Sequence, residues 1–326
     1  MAEVSAECVI GVDVGGTKAV AGAIDRSLAV HYRARREVPS TDLAALLDTL
    51  TELVEEVRGA LSQDVLGVGF GIPCLIDHDR AIAASSVHLP IAGLAFADIM
   101  SDRLALPVVM DNDGNLALLA ELRAGAARGE RAAVMLTLGT GVAGAIAFGG
   151  EIYRGSQGAA GELGHMIVCA DGPDCGPGCA SHGCLEALVS GSALTKSARA
   201  LAEREPASRL GRALASGRDV GGPLVTELAH DGDAPAVALL TELGEWLGVG
   251  LVNIVNIFNP DVVLIGGGVI AAGELILAPA RGVLAERALA MPAQSVRVLA
   301  ARFGAESGML GAAAYAHDRL RDRVRA

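Results

Sequence analysis

Two stretches of this 326-residue chain share one build. VIGVDVGGTKAVAGAID from Val9 and AAVMLTLGTGVAGAIAFGG from Ala132 each join two β-rich runs through a glycine turn. Such runs predict hairpins that open a sheet. The first is followed by helical spacing at Leu43, Leu46, Leu47, Leu50, Val54 and Val57, with Ser40 or Thr41 as cap, which predicts an amphipathic helix over 41–61. VLGVGFGIP from Val65 and PVVMDN from Pro107 read as buried strands, and Asn115–Arg123 as a helix leaving the second. In the other half long helical stretches are predicted after a Cys/Gly/Pro-rich loop at 169–184, the last over Ala234–Phe258, then the strand DVVLIGGG, and an Ala-rich helix from Ser307 onward. Strands interleaved with helices in both halves predict an α/β protein of two lobes with a cleft between them, and the repeated hairpins suggest internal duplication. The hinge is expected just after Asp113, giving lobes 1–113 and 114–306, with the helix at about 307–326 returning to the first.

Composition narrows the function. The formal net charge of −12 repels a polyanion, and 3% aromatic residues leave too few rings for a base-stacking platform. Nucleic acid is therefore an unexpected partner. The start of the chain has no basic segment followed by an apolar stretch and cleavage site, so the expected location is the cytoplasm. The uncharged run Ala132–Gly150 is broken by five glycines and two threonines into pieces too short to span a membrane. Six cysteines, four of them between Cys169 and Cys184, point to a metal site in a reducing compartment.

The glycine turns can take phosphate. Asp13, Gly15, Gly16, Thr17 and Lys18 form DVGGTK, where absent β-carbons let backbone amides approach an anion; an ordinary tight hairpin is the alternative. Gly139, Thr140 and Gly141 repeat the chemistry, and two such turns could hold a phosphate chain from both sides. Gly266, Gly267 and Gly268 follow DVVLI and could admit a nucleotide base or ribose; a plain helix–strand connection is the alternative. No Walker pattern is present, and no G-x-G-x-x-G opens a helix after the first strand.

MDNDGN puts Asp111, Asn112 and Asp113 at a strand end, where α/β sheets deliver polar groups to ligands; Asp113 is expected to cap the following helix as well. GELGH leads into CGPGCASHGC, so His165, Cys175, Cys179 and Cys184 offer three thiolates and an imidazole, a donor set for tetrahedral zinc. Four protein ligands leave no open position, which makes the ion structural. Cys169 is expected as a small buried residue in a strand MIVCA, and His182 as a solvated loop residue.

DVGGTK, GIP, MDNDGN, GTG, GELGH and the cysteine loop running into CLEALVSG, in that order over nearly the whole chain, resemble the ROK family of sugar kinases and repressors, the glucokinases most of all. The resemblance implies the actin-like, hexokinase-like (ribonuclease H-like) ATPase fold, with a sugar and ATP cleft between two lobes. It implies ATP with Mg2+ as phosphate donor and a hexose, glucose first, as acceptor. Asp113 would be the general base, with Asn112, Glu162, His165 and Glu186 as sugar-hydroxyl ligands. His165 would serve both zinc and sugar. The turn from Asp13 and Gly139–Gly141 would hold the phosphates, and the glycines from Gly266 the adenosine. Family repressors carry an N-terminal helix-turn-helix, for which no room is expected before Asp13, and a homodimer is expected by analogy. The chain departs from the family at Cys74, where glycine usually follows proline, at Ala143 and Ala145 in the second turn, and at Val87 or His88, where an asparagine usually faces the sugar. These departures leave another hexose, an N-acylated amino sugar, a non-catalytic sugar sensor or a polyphosphate-dependent kinase as alternatives.

Overall fold

The computed structural model describes residues 7–78, 80–86, 89–176 and 178–324. Two compact units are present: residues 1–129, 151–160 and 305–326 form the first, and 130–150 with 161–304 the second.

In the first unit, β1 (Cys8–Val14), β2 (Lys18–Asp25), β3 (Val30–Glu37), β4 (Val65–Ile72) and β7 (Val108–Asn112) form a sheet of order β3-β2-β1-β4-β7. β1 runs antiparallel to β2, parallel to β4, and β4 parallel to β7. Side chains alternate along it as the two-residue period requires. Ile10, Val12, Val68 and Phe70 point into a core built with α1 (Leu43–Gly59) and α2 (Phe96–Leu104), where Phe70 meets Phe96 edge to face at 5.3 Å. The opposite face carries α11 (Ser307–Val324), pressed so close that a Cβ on Gly11 would lie 2.2 Å from Met309 O and one on Gly69 2.0 Å from Ala312 O. Glycine in the strands and alanine in the helix are therefore one packing requirement. A small hairpin, β5 (Leu75–Asp77) with β6 (Ile82–Ser85), follows β4.

α3 (Asp113–Ala124) packs on α11 and stays with the first unit, so the boundary falls at Gly129 and not just after Asp113. The strand-to-helix turn at Asp113 mimics a hinge in sequence, yet the buried face of α3, from Leu116 to Leu122, is fixed against this unit. The caps shift as well. Asp42 caps α1, accepting from Ala44 N at 2.9 Å, in place of Ser40 or Thr41. Asn112 caps α3, accepting from Asn115 N at 3.2 Å, which leaves Asp113 as the first helical residue.

The second unit repeats the plan. β8 (Ala132–Leu138) runs antiparallel to β9 (Val142–Phe148) and parallel to β13 (Val262–Gly266), which pairs in parallel with β14 (Arg297–Ala300). The strand directions match those of β2, β1, β4 and β7, so the duplication is visible in topology. The run Ala132–Gly150 is thus a hairpin. Short β10 (Glu151–Ile152) opens the segment that belongs to the first unit. After the small hairpin of β11 (Asp174–Gly176) and β12 (Cys179–His182) come α4 (Glu186–Val189), α5 (Gly191–Arg204), α6 (Arg209–Ala215), α7 (Gly222–His230), α8 (Ala234–Phe258), α9 (Glu274–Arg287) and α10 (Ala290–Ser295). α8 is long and apolar enough to cross a membrane, but Leu240, Leu247, Leu251 and Ile254 make it the core helix of this unit.

Candidate active site

The first unit gathers acids at the C-terminal ends of β1 and β7. Strand β7 ends in Asp111 and Asn112, and α3 begins at Asp113, whose Oδ1 accepts from Gly114 N at 2.9 Å. Asn112 takes the cap, and Asp113, on the first turn, is half-buried. Asn112 Nδ2 donates to Cys74 O at 3.3 Å, so the residue that departs from the family pattern supports the cap through its backbone. Its thiol is pushed up to about 12 by burial and by Asp113 and Asp111, and stays protonated at neutral pH. The positions Val87 and His88 lie outside the described residues.

Asp13 stands one residue before the end of β1, beside the turn in which Gly15 N donates to Lys18 O at 2.8 Å; Thr17 and Lys18 are exposed. Burial and the nearby Asp113 carboxylate push the Asp13 carboxyl up to about 7, against the pull of Lys18. A native value above the unfolded one means stability that is complete below about 3.8 and lost as pH rises through 7. Asp13→Asn is therefore expected to melt at least about 5 °C above the wild type at pH 8, the gap closing as pH falls toward 4. Calorimetry of the ligand-free protein checks this; a gap that does not change with pH refutes it.

The second unit brings its two glycine segments together. Gly139, Thr140 and Gly268 line one cavity of about 1030 Å³ along with Ser192, Lys196 and Arg199 of α5. Gly266 and Gly267 do not line it: Gly266 ends β13 opposite Thr137 and packs against the Met135 side chain, and Gly267 lies against the β8 backbone, where a Cβ would sit 2.3 Å from Leu138 O. Backbone bonds from Gly191 N to Gly139 O and from Ser192 N to Thr140 O fasten the turn to the start of α5. The helical stretches expected after the cysteine loop include α5, but its polar face is not among the predicted site residues. Its signal was Ser192, Lys196, Arg199 and Glu203 spaced three to four apart, one helical face.

Gly141 answers to a different neighbour. Glu186 Oε2 accepts from Val142 N at 2.6 Å, and a Cβ on Gly141 would lie 2.4 Å from that oxygen. Ala143 and Ala145 sit in β9 without displacing it, because the position that tolerates no methyl is Gly144, whose Cβ would meet Gly161 O at 2.2 Å.

Glu186 also lies 3.9 Å from Cys175 Sγ, at the edge of a cluster in which His165, Cys175, Cys179 and Cys184 bring one donor atom each within 4.8 Å of one another. Cys175 Sγ is 3.4 Å from His165 Nδ1, and Cys179 Sγ 3.9 Å from Cys184 Sγ. The other ring nitrogen of His165 faces Glu162 at 4.0 Å. Cys169 is outside the cluster and sits half-buried in a turn, not in a strand: MIVCA forms only the single bridge Ile167–Cys184. His182, on β12, is exposed and paired with Asp174 at 2.7 Å.

Known proteins are similar to this chain over most of its length. The ROK family model matches residues 9–319. A glucokinase of Streptomyces coelicolor is 32% identical over 313 residues, 95% of this chain and 97% of that one. The crystal structure of a ROK family glucokinase from Streptomyces griseus, in complex with glucose and AMPPNP, superposes with a TM-score of 0.85 at 34% identity, covering 95% of this chain and 99% of the other. A ROK hexokinase from Thermus thermophilus gives 0.76 at 31% identity, over 97% and 99%. The two hairpin-led sheets, the acids near the ends of β1 and β7, and the Cys/His cluster running into Glu186 thus sit in a chain that the family model matches from residue 9 to 319, and it belongs to the ROK family.

Proposed function

We propose that this chain is an ATP-dependent sugar kinase that converts glucose and ATP into glucose 6-phosphate and ADP. The observation that carries the reading is the cavity of about 1030 Å³ in which Gly139, Thr140 and Gly268 meet, in a chain 34% identical to a glucokinase crystallised with glucose and AMPPNP. Backbone amides of the Gly139–Gly141 turn and the charges of Lys196 and Arg199 suit a triphosphate entering with Mg2+. The DVGGTK turn, with Asp13 and Lys18, is its counterpart in the first unit.

Phosphoryl transfer needs positioning more than covalent help from the protein. In this reading Asp113 takes the proton of the sugar 6-hydroxyl as its oxygen bonds to the γ-phosphorus; the bond from phosphorus to the β,γ-bridging oxygen breaks, and ADP leaves. Asn112, Glu162, His165 and Glu186 hold the remaining hydroxyls. Glu186 is prepared for this by its bond from Val142 N, which aims one carboxylate oxygen and leaves the other to accept.

The four-donor cluster suits a structural zinc ion. Bonds of about 2.3 Å at tetrahedral angles place two thiolates about 3.8 Å apart, and Cys179 and Cys184 stand at 3.9 Å. Zinc there would brace the loop that leads from His165 to Glu186 and supplies no reaction step. All six cysteines are free, as suits the reducing cytoplasm in which we place the enzyme.

A coupled assay of ADP release with ATP, Mg2+ and a panel of hexoses and N-acylated amino sugars tests the reading. Glucose should be the best acceptor; sugar binding without ADP release would make the protein a sensor. The Gly141→Ala variant should fold normally, displace the Glu186 carboxylate and raise the KM for glucose about tenfold or more, the scale of one charge-assisted hydrogen bond. An unchanged KM would remove Glu186 from the sugar site.

A further inference from the structure

The geometry points to Arg154 as a positioning residue for the base, acting through the buried carboxylate of Asp111; this rests on the reading of Asp113 as the proton acceptor. Asp111 is fully buried at the end of β7. A carboxylate so placed must be paired and hydrogen-bonded to persist. Oδ2 accepts from Arg154 Nε at 2.9 Å and from Arg154 Nη2. Oδ1 accepts from Asn112 N at 2.8 Å and from Asn115 Nδ2 at 3.3 Å, and His78 Nε2 approaches it to 3.4 Å. Burial alone would raise this carboxyl, but His78 and Arg154 outweigh it and hold it below the usual range.

The two partners of Oδ1, Asn112 and Asn115, flank Asp113 on the first turn of α3, and Asn112 is its cap. The direction of the Asp111 carboxylate therefore sets the peptide and the cap from which Asp113 projects. Arg154 sets that direction with two nitrogens on one oxygen, while its third nitrogen donates to Ile152 O at 3.3 Å and its guanidinium lies 5.6 Å from the centre of the Tyr315 ring. A lysine has the charge but cannot make these contacts together.

The test is Arg154→Lys, measured by steady-state kinetics, by single-turnover assays and by a cycle with Asp113→Asn. The expected result is a kcat about ten- to a hundredfold lower, the scale of a misplaced reacting group, with the KM for ATP within about twofold. In the Asp113→Asn background Arg154→Lys should cost less than about twofold more, because the residue it positions is already disabled. Should the lysine variant fold poorly, Asp111→Asn combined with Arg154→Gln removes both charges, leaves none orphaned, and should show the same loss. A kcat within about twofold of wild type in a folded variant, or losses that multiply with Asp113→Asn, overturns the inference. Failure of the underlying reading looks different: there Asp113→Asn itself turns over normally.

Discussion

Asp113→Asn is expected to lower kcat by about 10²- to 10⁴-fold, the contribution of a general base, while the fold and sugar binding persist. The physical reasons are local. Asparagine is nearly isosteric with aspartate and can still orient a hydroxyl, so sugar affinity should hold, but its amide cannot take the proton. Because Asn112 caps α3, the helix loses no cap in the variant. Removing the charge also relieves Asp13, whose raised carboxyl owes part of its shift to Asp113, so the pH dependence of the melting temperature below pH 7 should flatten. Rapid-quench measurement of phosphoryl transfer, alongside sugar binding by calorimetry, separates chemistry from affinity. Turnover near wild type would take Asp113 out of the mechanism.

Losing one ligand of the Cys/His cluster is expected to be as severe by another route. Cys184→Ser should lower the bound zinc from about one per chain to well below that and loosen the segment from His165 to Glu186. Structural zinc sites of this type are worth about 10–16 kcal/mol in apparent binding free energy, while the hairpin β11–β12 they hold has few other supports: Cys175 and Cys179 are only partly buried, and the strands are three and four residues long. Cys184 itself is fully buried and immediately precedes Leu185, in the core, and Glu186. Release of the ion should therefore move Glu186 and raise the KM for sugar far more than that for ATP. Metal analysis of the purified wild type, and of the variant after dialysis, checks the assignment; a zinc-free wild type with full activity sinks it.

The sheets were legible in the chain because their signal is local and repeated: apolar runs on each side of a glycine turn, met at Val9 and again at Ala132. So was α8, whose predicted span is the observed one. The Cys/His cluster was legible from donor type and spacing alone. The caps were not. Ser40, Thr41 and Asp42 all carry an oxygen that could cap α1, and Asn112 and Asp113 compete in the same way; only backbone conformation decides, and composition does not encode it. The hinge at Asp113 failed for a related reason, since what holds α3 in the first unit is α11, almost two hundred residues away. Distance also hid Arg154, which meets Asp111 across 43 positions of sequence. The Gly266–Gly268 run divides three ways that sequence does not show: Gly266 ends β13, Gly267 lies against the backbone of β8, and Gly268 reaches the cavity.

That α11 is pressed onto Gly11 and Gly69 has a consequence for biogenesis. Ribosomes deliver the first sheet early, but the helix that covers one of its faces follows every element of the second unit. Until then a bare, glycine-floored surface waits through the making of the entire second unit. A stop codon near position 305 would leave that surface permanently uncovered, and the nascent chain should depend on chaperones most acutely in the interval before residues 307–324 emerge.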